Sequence, residues 1–388
     1  MRKLLHNTVL LIIFSFNLNA QVKTMLNIPP RIQWPNNNGY CGENSIQMCG
    51  LYYGNYISEG LCRTVAGGEL LIYVNDTIAL NAFSFTYSEW NPNAATPQYQ
   101  NYLDWVKQFL NKRQPVIITV YVSGMTDPDY DHIIPAIGFY ATNVNSYSST
   151  DSLFFNTNFD TVPFKRIFSS LYGTRSVANN SAPFAYYVPQ NVDYGVAVTG
   201  NKDPGHITKP VHIVLDSNDE PNVSLSAQAC ILKATITIDS LTSGQSYALL
   251  RYNNYLNVPS TGFSPSGANS VVYFTATTTT KTILDSFKSD SAVFYRCIPY
   301  SLGTVTEINN TTYESSLAFP NPTNGKFTLI VTDDTKQIEI VDVVGQTIQK
   351  VNIANIESLD MYLENKGVYF VRFSRGTITH FAKIVVTN

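Results

Sequence analysis

The sequence predicts an α+β domain followed by two β-sandwich domains, all behind an N-terminal export signal. The chain has 388 residues, enough for two or three hydrophobic cores. Only 14% of the residues are charged, and 25 Tyr stand against 25 Lys plus Arg, a balance typical of β-rich extracellular proteins. Helical and strand patterns alternate up to about residue 200, whereas short strands separated by turns follow it.

The N-terminus predicts a secretory signal peptide over residues 1–20. Arg2 and Lys3 precede the apolar run Val9–Phe14, and a polar stretch ends at Ala20, as in such signals. The run is short for a bilayer and no later segment reaches about 18 apolar residues, so we expect no transmembrane segment in the mature chain. The net charge of −3, with no basic block, argues against nucleic acid as a partner.

The five cysteines predict one unpaired thiol, because an odd number in an exported chain cannot all pair. One economical arrangement joins Cys49 to Cys62 and leaves Cys41 unpaired. The same arrangement joins Cys230 to Cys297.

Cys41 opens a segment with helical spacing, directly after a turn rich in Asn and Gly. The residues that share one face of this predicted helix are Ile46, Cys49, Gly50 and Tyr53. The free N–H groups and positive dipole end of a helix N-terminus favour a thiolate, which is the attacking species of a cysteine nucleophile. A structural cysteine that begins a buried helix is the alternative, and position alone does not separate the two.

Residues 21–204 contain a single histidine, His132, which is the one imidazole base available to Cys41 in that domain. It lies in the predicted buried strand Asp131–Phe139, after a predicted helix, Tyr102–Asn111, and a predicted strand, Val116–Tyr121. A lone His on a strand is more often structural than catalytic. The presence of a candidate thiol in the same domain favours a catalytic role here.

Two further candidates complete the site. Asn156 ends the predicted strand Ser152–Asn156 and Asn158 follows it, and either side chain could accept a hydrogen bond from the imidazole and orient it. Both are also ordinary turn residues. Upstream, Gln33 could donate its amide to an oxyanion together with the backbone N–H of Cys41, or be a surface residue.

The order of these residues resembles the papain-like cysteine peptidases of clan CA, and the helix and strands are most similar to the C39-like branch. The resemblance implies a papain-like fold for the α+β domain. It also implies Cys41 as nucleophile, His132 as base, Gln33 in the oxyanion hole, and Asn156 or Asn158 as the orienting residue. The domain would then be a secreted cysteine hydrolase, most simply a peptidase, that forms an acyl-thioester on a protein or peptide substrate.

This chain departs from the family pattern in three places. Gln33 stands eight residues before Cys41, whereas papain-like enzymes place it nearer, so one of Asn36–Asn38 could serve instead. Gly42–Asn44 reads Gly-Glu-Asn where C39-like proteins usually have Gly-Pro-Ala. Thr157 stands where those proteins often have the orienting Asp. Because of these departures, both an active enzyme and one with weakened or lost peptidase activity are compatible with the sequence.

The remaining chain is predicted to be β-structure. We assign residues 21–204 to the papain-like domain, 205–304 to a β-sandwich, 305–316 to a polar linker and 317–388 to a terminal β-sandwich. The predicted strands of the middle domain are Val211–Leu215, Ala234–Ile238, Tyr247–Tyr252, Val271–Ala276 and Ala292–Ile298. A spacer role and a substrate-contacting role are both open for this domain.

The terminal domain carries three local motifs in order, Phe319–Gly325, Val341–Gln346 and Lys366–Val371. They resemble the type A C-terminal sorting domain of the Bacteroidetes type IX secretion system. The resemblance implies the type IX machinery as a partner and passage across the outer membrane to the extracellular space or the cell surface.

No metal or other cofactor is predicted. The sequence lacks a Cys-x-x-Cys, a His-Glu-x-x-His and an Asp-rich calcium loop, and Ala66–Glu69 lacks the Lys-Ser/Thr of a phosphate-binding loop, so we expect a turn there. The main rival to the hydrolase is a catalytically inactive papain-like surface protein that binds protein or carbohydrate, since Asn-rich loops and abundant Tyr suit recognition. Acyl transfer by the same residues is a third reading.

Overall fold

β-Strands form most of the regular structure in the computed structural model. The model describes residues 21–34, 39–124, 131–179, 182–217, 230–300, 318–331, 335–353, 357–375 and 378–387. The predicted signal peptide and the predicted linker 305–316 lie outside these residues. In the described ranges, no helix is long and apolar enough to span a membrane. The chain divides into two compact units, residues 1–301 and 302–388.

The helices of the first unit are α1 Cys41–Tyr52, α2 Glu59–Ala66, α3 Asp76–Ala82, α4 Tyr99–Asn111 and α5 Phe168–Leu171. Its first ten strands are β1 Val22–Met25, β2 Asn55–Ile57, β3 Phe85–Glu89, β4 Val116–Ser123, β5 Asp131–Ala141, β6 Ser152–Phe155, β7 Phe164–Ile167, β8 Tyr172–Gly173, β9 Ala185–Pro189 and β10 Gly195–Asn201. Its later strands are β11 Val211–Leu215, β12 Ile231–Ile238, β13 Ser246–Tyr252, β14 Ser270–Thr275, β15 Lys281–Lys288 and β16 Ala292–Pro299.

A nine-stranded sheet carries the candidate site. Its main path runs β3-β10-β4-β5-β6-β7, with β1 beside β5 and β9 joining β4 to β8. The pairs are antiparallel except β8 with β9. Helix α4 covers one face, where its buried stripe, which includes Tyr102 and Val106, packs on alternate strand residues such as Ile118 and Ile134. The opposite face, which carries Ile117, belongs to a second core with α1.

Helix α2 follows α1 and has clear end signals. Ser58 is its N-cap and accepts a hydrogen bond from the backbone N–H of Leu61. The helix ends at Ala66, and Gly67 takes the left-handed conformation, with φ 81°, that a C-cap glycine adopts. The turn predicted at Ala66–Glu69 is therefore confirmed, since the chain leaves α2 there.

Two further sheets form the rest of the first unit, in the orders β11-β12-β15 and β14-β13-β16-β2. A core between them includes Ile236, Leu249 and Phe287, an arrangement compatible with a β-sandwich. The five strands predicted here are confirmed, whereas β15 is an additional strand. Strand β2 comes soon after α1 in the sequence, yet it pairs with β16. One sheet of the first unit therefore contains strands from both sides of residue 204. The division at 204 and 205 stays a prediction.

The second unit is also made of two sheets. Its strands are β17 Ala318–Phe319, β18 Lys326–Ile330, β19 Thr335–Asp342, β20 Thr347–Asn352, β21 Ser358–Tyr362, β22 Gly367–Arg375 and β23 Ile378–Val386. They are ordered β17-β18-β21 and β20-β19-β22-β23, around a core that includes Leu329, Ile340 and Val371. The sequence predicts four of these strands, Phe327–Val331, Ile338–Val343, Gly367–Arg372 and Phe381–Val386, which correspond to β18, β19, β22 and β23. Strands β17, β20 and β21 are additional.

The predicted disulfides are not formed. All five cysteines lie among the described residues, and no disulfide joins any of them. Cys49 is fully buried on α1, and Cys297 is fully buried on β16. Packing in two different apolar cores, rather than covalent cross-links, therefore accounts for these two thiols.

Candidate functional site

The first turn of α1 is tied to strand β5. Strand β6 pairs with β5 from Ala136 onward, which leaves the backbone of Ile133 available to other groups. Ser45 Oγ donates to the carbonyls of Cys41 at 2.7 Å and Ile133 at 3.1 Å. Asn158 Nδ2 donates to the same two carbonyls, at 2.9 and 2.8 Å. These contacts place Cys41, the first residue of α1, beside the residue that follows His132.

The imidazole of His132 is held by the backbone of Thr157, which follows strand β6. Its Nε2 lies 2.7 Å from the carbonyl oxygen of Thr157, and the ring of Phe159 stacks on it with centroids 4.5 Å apart. A carbonyl oxygen can only accept, so Nε2 carries the hydrogen and Nδ1 of a neutral ring keeps its lone pair. Burial lowers the pKa of His132 to about 4, although the hydrogen bond to Thr157 opposes this shift. The ring is therefore a neutral base at pH 7.

Burial also keeps the Cys41 thiol neutral, which corrects the expectation of a thiolate held by the helix end. Desolvation raises its pKa to about 12, with smaller contributions from the carboxylates of Glu43 and Glu69. The backbone N–H groups of Ile133 and Gly42 act in the opposite direction but do not compensate. The helix N-terminus is present as predicted, but the side chain is about nine-tenths buried and its thiolate lacks water.

The two predicted catalytic side chains approach β5 differently. The hydrogen bonds and ring contacts described for His132 do not include the Cys41 thiol, which instead meets the N–H of Ile133. His132 pairs with Val120 across the β4–β5 ladder, and Val120 belongs to the core beneath α4. Cys41 and Ile133 belong to the core on the opposite face. The alternation of side chains along β5 thus places His132 on one face of the strand and Ile133, with Cys41, on the other.

Neither asparagine takes the predicted orienting position. Asn156 Nδ2 donates to the Ile28 carbonyl at 3.0 Å and contacts Met48 Sδ at 3.4 Å. Asn158, in the left-handed conformation with φ 63°, directs its amide to the Cys41 helix start. The acceptor for His132 is the carbonyl of Thr157, which lies between them. Backbone polar groups are invisible to a search for side-chain motifs, so residue types could not reveal this contact.

Gln33 lies beside the same turn. Its backbone N–H donates to the Asn158 carbonyl at 2.8 Å, while its side-chain Oε1 is buried without a hydrogen-bond partner. The alternative oxyanion donors Asn36–Asn38 lie outside the described residues. All five predicted site residues therefore gather around the start of α1 and the end of β6, although in roles that differ from the predicted ones.

Glu43 and Glu59 stabilise this region through buried hydrogen bonds, a role that the sequence did not predict. The fully buried Glu43 forms an ion pair with Arg63 at 2.7 Å and accepts from the backbone N–H of Leu70 at 3.1 Å. Glu59 accepts from the Asn44 amide at 2.5 Å and from the Trp34 N–H at 3.0 Å. For Glu43 the sequence did offer a signal, because C39-like proteins usually have Pro at this position, two residues after the cysteine.

Comparisons with known proteins inform mainly the C-terminal unit. No curated protein matches the chain. Among solved structures, the chain is similar to a "Biofilm associated protein - BSP domain" at 10% identity, over 71% of this chain and 60% of that one. Its TM-score of 0.17 carries no argument about fold or function.

The second unit has a specific match. Residues 317–387 match the family described as "Secretion system C-terminal sorting domain", which confirms the predicted terminal module and supports interaction with the secretion machinery. The chain therefore ends in a secretion sorting domain, which indicates export and a surface or extracellular location.

Proposed function

We propose that the first unit is an exported cysteine hydrolase of papain-like type, with Cys41 as nucleophile and His132 as general base. The observation that carries this proposal is the meeting of the α1 N-terminus with β5 at Ile133, one residue from an imidazole whose Nε2 is fixed by a carbonyl. A neutral thiol and a neutral imidazole form a competent resting state when proton transfer accompanies attack, and this step requires the His132 ring to reach the Cys41 side of β5.

The chemistry would proceed in two halves. Nδ1 of His132 takes the proton from the thiol as Sγ of Cys41 bonds to the substrate carbonyl carbon, and the carbonyl oxygen becomes an oxyanion. N–H groups in the first turn of α1, and the Gln33 amide, would stabilise it. The oxyanion collapses, the leaving group departs with the proton from His132, and an acyl-thioester remains. Water then gives a proton to His132 as its oxygen bonds to the thioester carbon. The C–S bond breaks, the acyl group leaves as a carboxylic acid, and Sγ of Cys41 takes the proton back from His132.

Helix α1 offers a matched pair of cysteines for the test. An electrophilic probe that mimics an acyl substrate should label Cys41 in the mature chain, and Cys41→Ala should abolish labelling. Cys49→Ala, on the same helix but with its thiol in the core, should not change it. Labelling should also be lost in His132→Gln, since the probe needs proton transfer. Labelling that persists in Cys41→Ala, or does not depend on His132, contradicts the proposal.

A non-catalytic binding protein is the second candidate, and one observation favours it. The thiol and imidazole are both buried, and Cys41 and His132 belong to opposite faces of β5. For such a protein, small thiol reagents should modify Cys41 slowly and at a rate that His132→Gln leaves unchanged. Binding of a protein or carbohydrate ligand should survive Cys41→Ala.

A further inference from the structure

A second candidate site lies at the other end of α1. A partly open cavity of about 950 Å³ is bounded by Tyr52 and Tyr53 at the C-terminus of the helix, by the chain segment 199–212 and by β16. Its volume falls within the range of small-molecule sites. Cys41 is not among its lining residues, because the helix separates the two places by its own length.

The notable lining residue of this cavity is Arg296, which is only 1% exposed. Its Nη1 donates to Asn55 Oδ1 and to the Tyr295 carbonyl, each at 2.7 Å. Its Nε and Nη2 are buried without a hydrogen-bond partner, and no carboxylate among the described residues forms an ion pair with it. Burial lowers the pKa of Arg296 to about 10, although Tyr252 and the carboxylate of Asp203 oppose this shift. The buried guanidinium is therefore only partly compensated, which is unfavourable unless another group supplies more negative charge.

The rest of the lining is also rich in positive charge. Besides Arg296, the cationic side chains of the lining are Arg113, Lys202 and Lys209, against the carboxylates Asp203 and Asp239. Both carboxylates are already engaged. Asp203 accepts from the backbone and hydroxyl of Thr208, at 2.8 and 2.7 Å, and Asp239 lies 3.3 Å from His212 Nε2. Within the described ranges, Lys209 and Arg113 form no ion pair.

We propose that this cavity binds a small organic anion whose carboxylate or phosphate group is neutralised by Arg296. The guanidinium keeps two adjacent donors, Nε and Nη2, which match the two oxygens of such a group in a bidentate hydrogen-bonded pair. Lys209 and Arg113 add attraction at longer range, and the tyrosine rings Tyr52 and Tyr53 offer apolar contact to the remainder of the ligand. The proposal is independent of the Cys41 chemistry.

Isothermal titration calorimetry on the mature chain tests it with two probes, inorganic phosphate and acetate, at ionic strength held constant with chloride. Saturable binding of at least one probe is expected. Arg296→Gln should weaken it by about tenfold or more, because a charge-assisted pair is lost. Lys209→Gln should weaken it less. Lys281→Gln makes the same charge change on the exposed strand β15, away from the cavity, and should leave the affinity unchanged.

The stronger of the two probes identifies the ligand class as carboxylate or phosphate. Absence of saturable binding for both probes overturns the proposal, as does affinity that Arg296→Gln does not alter. Should Arg296→Gln fail to fold, Lys209→Gln combined with Arg113→Gln decides the matter, since both residues lie nearer the surface. Cys41→Ala should bind the probes as the wild type does, so failure of this proposal and failure of the hydrolase remain distinguishable.

Discussion

The two ends of α1 contrast in how their buried polar groups are satisfied. At the N-terminal end, the carbonyls of Cys41 and Ile133 accept hydrogen bonds from Ser45 and Asn158. At the C-terminal end, the Arg296 guanidinium keeps two donors without partners. Both regions are deeply buried, but the charge of Glu43 in the first is paired with Arg63, whereas the charge of Arg296 has no ion pair among the described residues.

This difference shows that burial has different consequences for hydrogen-bonded groups and for a charged group. The hydrogen bonds from Ser45 and Asn158 fix the geometry of the first region, although oxygens such as Gln33 Oε1 and Asn158 Oδ1 lack partners. Burial leaves its thiol and imidazole neutral, so this region is positioned but at rest. A buried charge that is only partly compensated costs stability unless a ligand or water completes it, so the second region is incomplete by itself. The first region should therefore lose stability when its donors are removed, and the second should tolerate loss of its cation.

The largest expected effect is on thiol reactivity. Since burial raises the pKa of Cys41 to about 12, its modification by iodoacetamide should be slow at pH 7 and should rise about tenfold per pH unit below that value. Rates measured by mass spectrometry between pH 6 and 10 check this, with His132→Gln as control. A plateau of fast labelling at mildly acidic pH would instead indicate a thiolate–imidazolium pair.

The next effect is acid destabilisation through His132. Its folded pKa of about 4 lies below the ordinary 6.5, so between these values the unfolded chain binds a proton that the native site excludes. Stability is therefore full above pH 6.5 and is lost as pH falls, by about 3 kcal/mol at pH 4. Urea unfolding of wild type and His132→Gln at pH 7 and 4.5 isolates this contribution. Equal acid sensitivity in both proteins would refute it.

Removing the Asn158 donors should cost less. Asn158→Ala should lower the free energy of unfolding by about 2 kcal/mol, because two buried carbonyls lose a donor and Ala is strained at φ 63°. Asn158→Gly loses the same bonds without that strain and should be about 1 kcal/mol more stable than the Ala variant. Urea unfolding measures both. Identical stability of the two variants would mean that the left-handed backbone contributes nothing.

The smallest effect is expected at the opposite end of the helix. Arg296→Gln should change the free energy of unfolding by at most about 1 kcal/mol, because removal of a buried, partly compensated charge offsets the lost bonds to Asn55 and Tyr295. The measurement is urea unfolding in a buffer without phosphate or carboxylate. A loss above about 3 kcal/mol would show that the guanidinium is a structural brace rather than half of a binding site.

Local sequence patterns predicted several elements well but missed the contacts between them. The start of α1 at Cys41 and the strand that carries His132 follow from apolar spacing. Strand β15 was missed because it alternates weakly, and Leu284 on it is 79% exposed. The pairing of β2 with β16 joins residues more than two hundred positions apart, which no local period encodes.

The candidate sites were predictable to different degrees. Cys41 and His132 were found by residue type, whereas the Thr157 carbonyl was not, because every residue has a carbonyl. Arg296 did leave a signal, since it interrupts the apolar strand Ala292–Ile298. A charged residue within a fully buried strand indicates that a partner or ligand is needed inside the protein, but the sequence pattern was used only to predict the strand.

Strand β2 has a practical consequence for dissecting the protein. It leaves α1 after two residues and completes the sheet that contains β16. A fragment cut near residue 204 would strip β2 of its partner, uncover Tyr56, and present an unpaired strand edge to other chains. Expression of the N-terminal part alone should therefore yield aggregates, and the shortest soluble piece should extend to about residue 300.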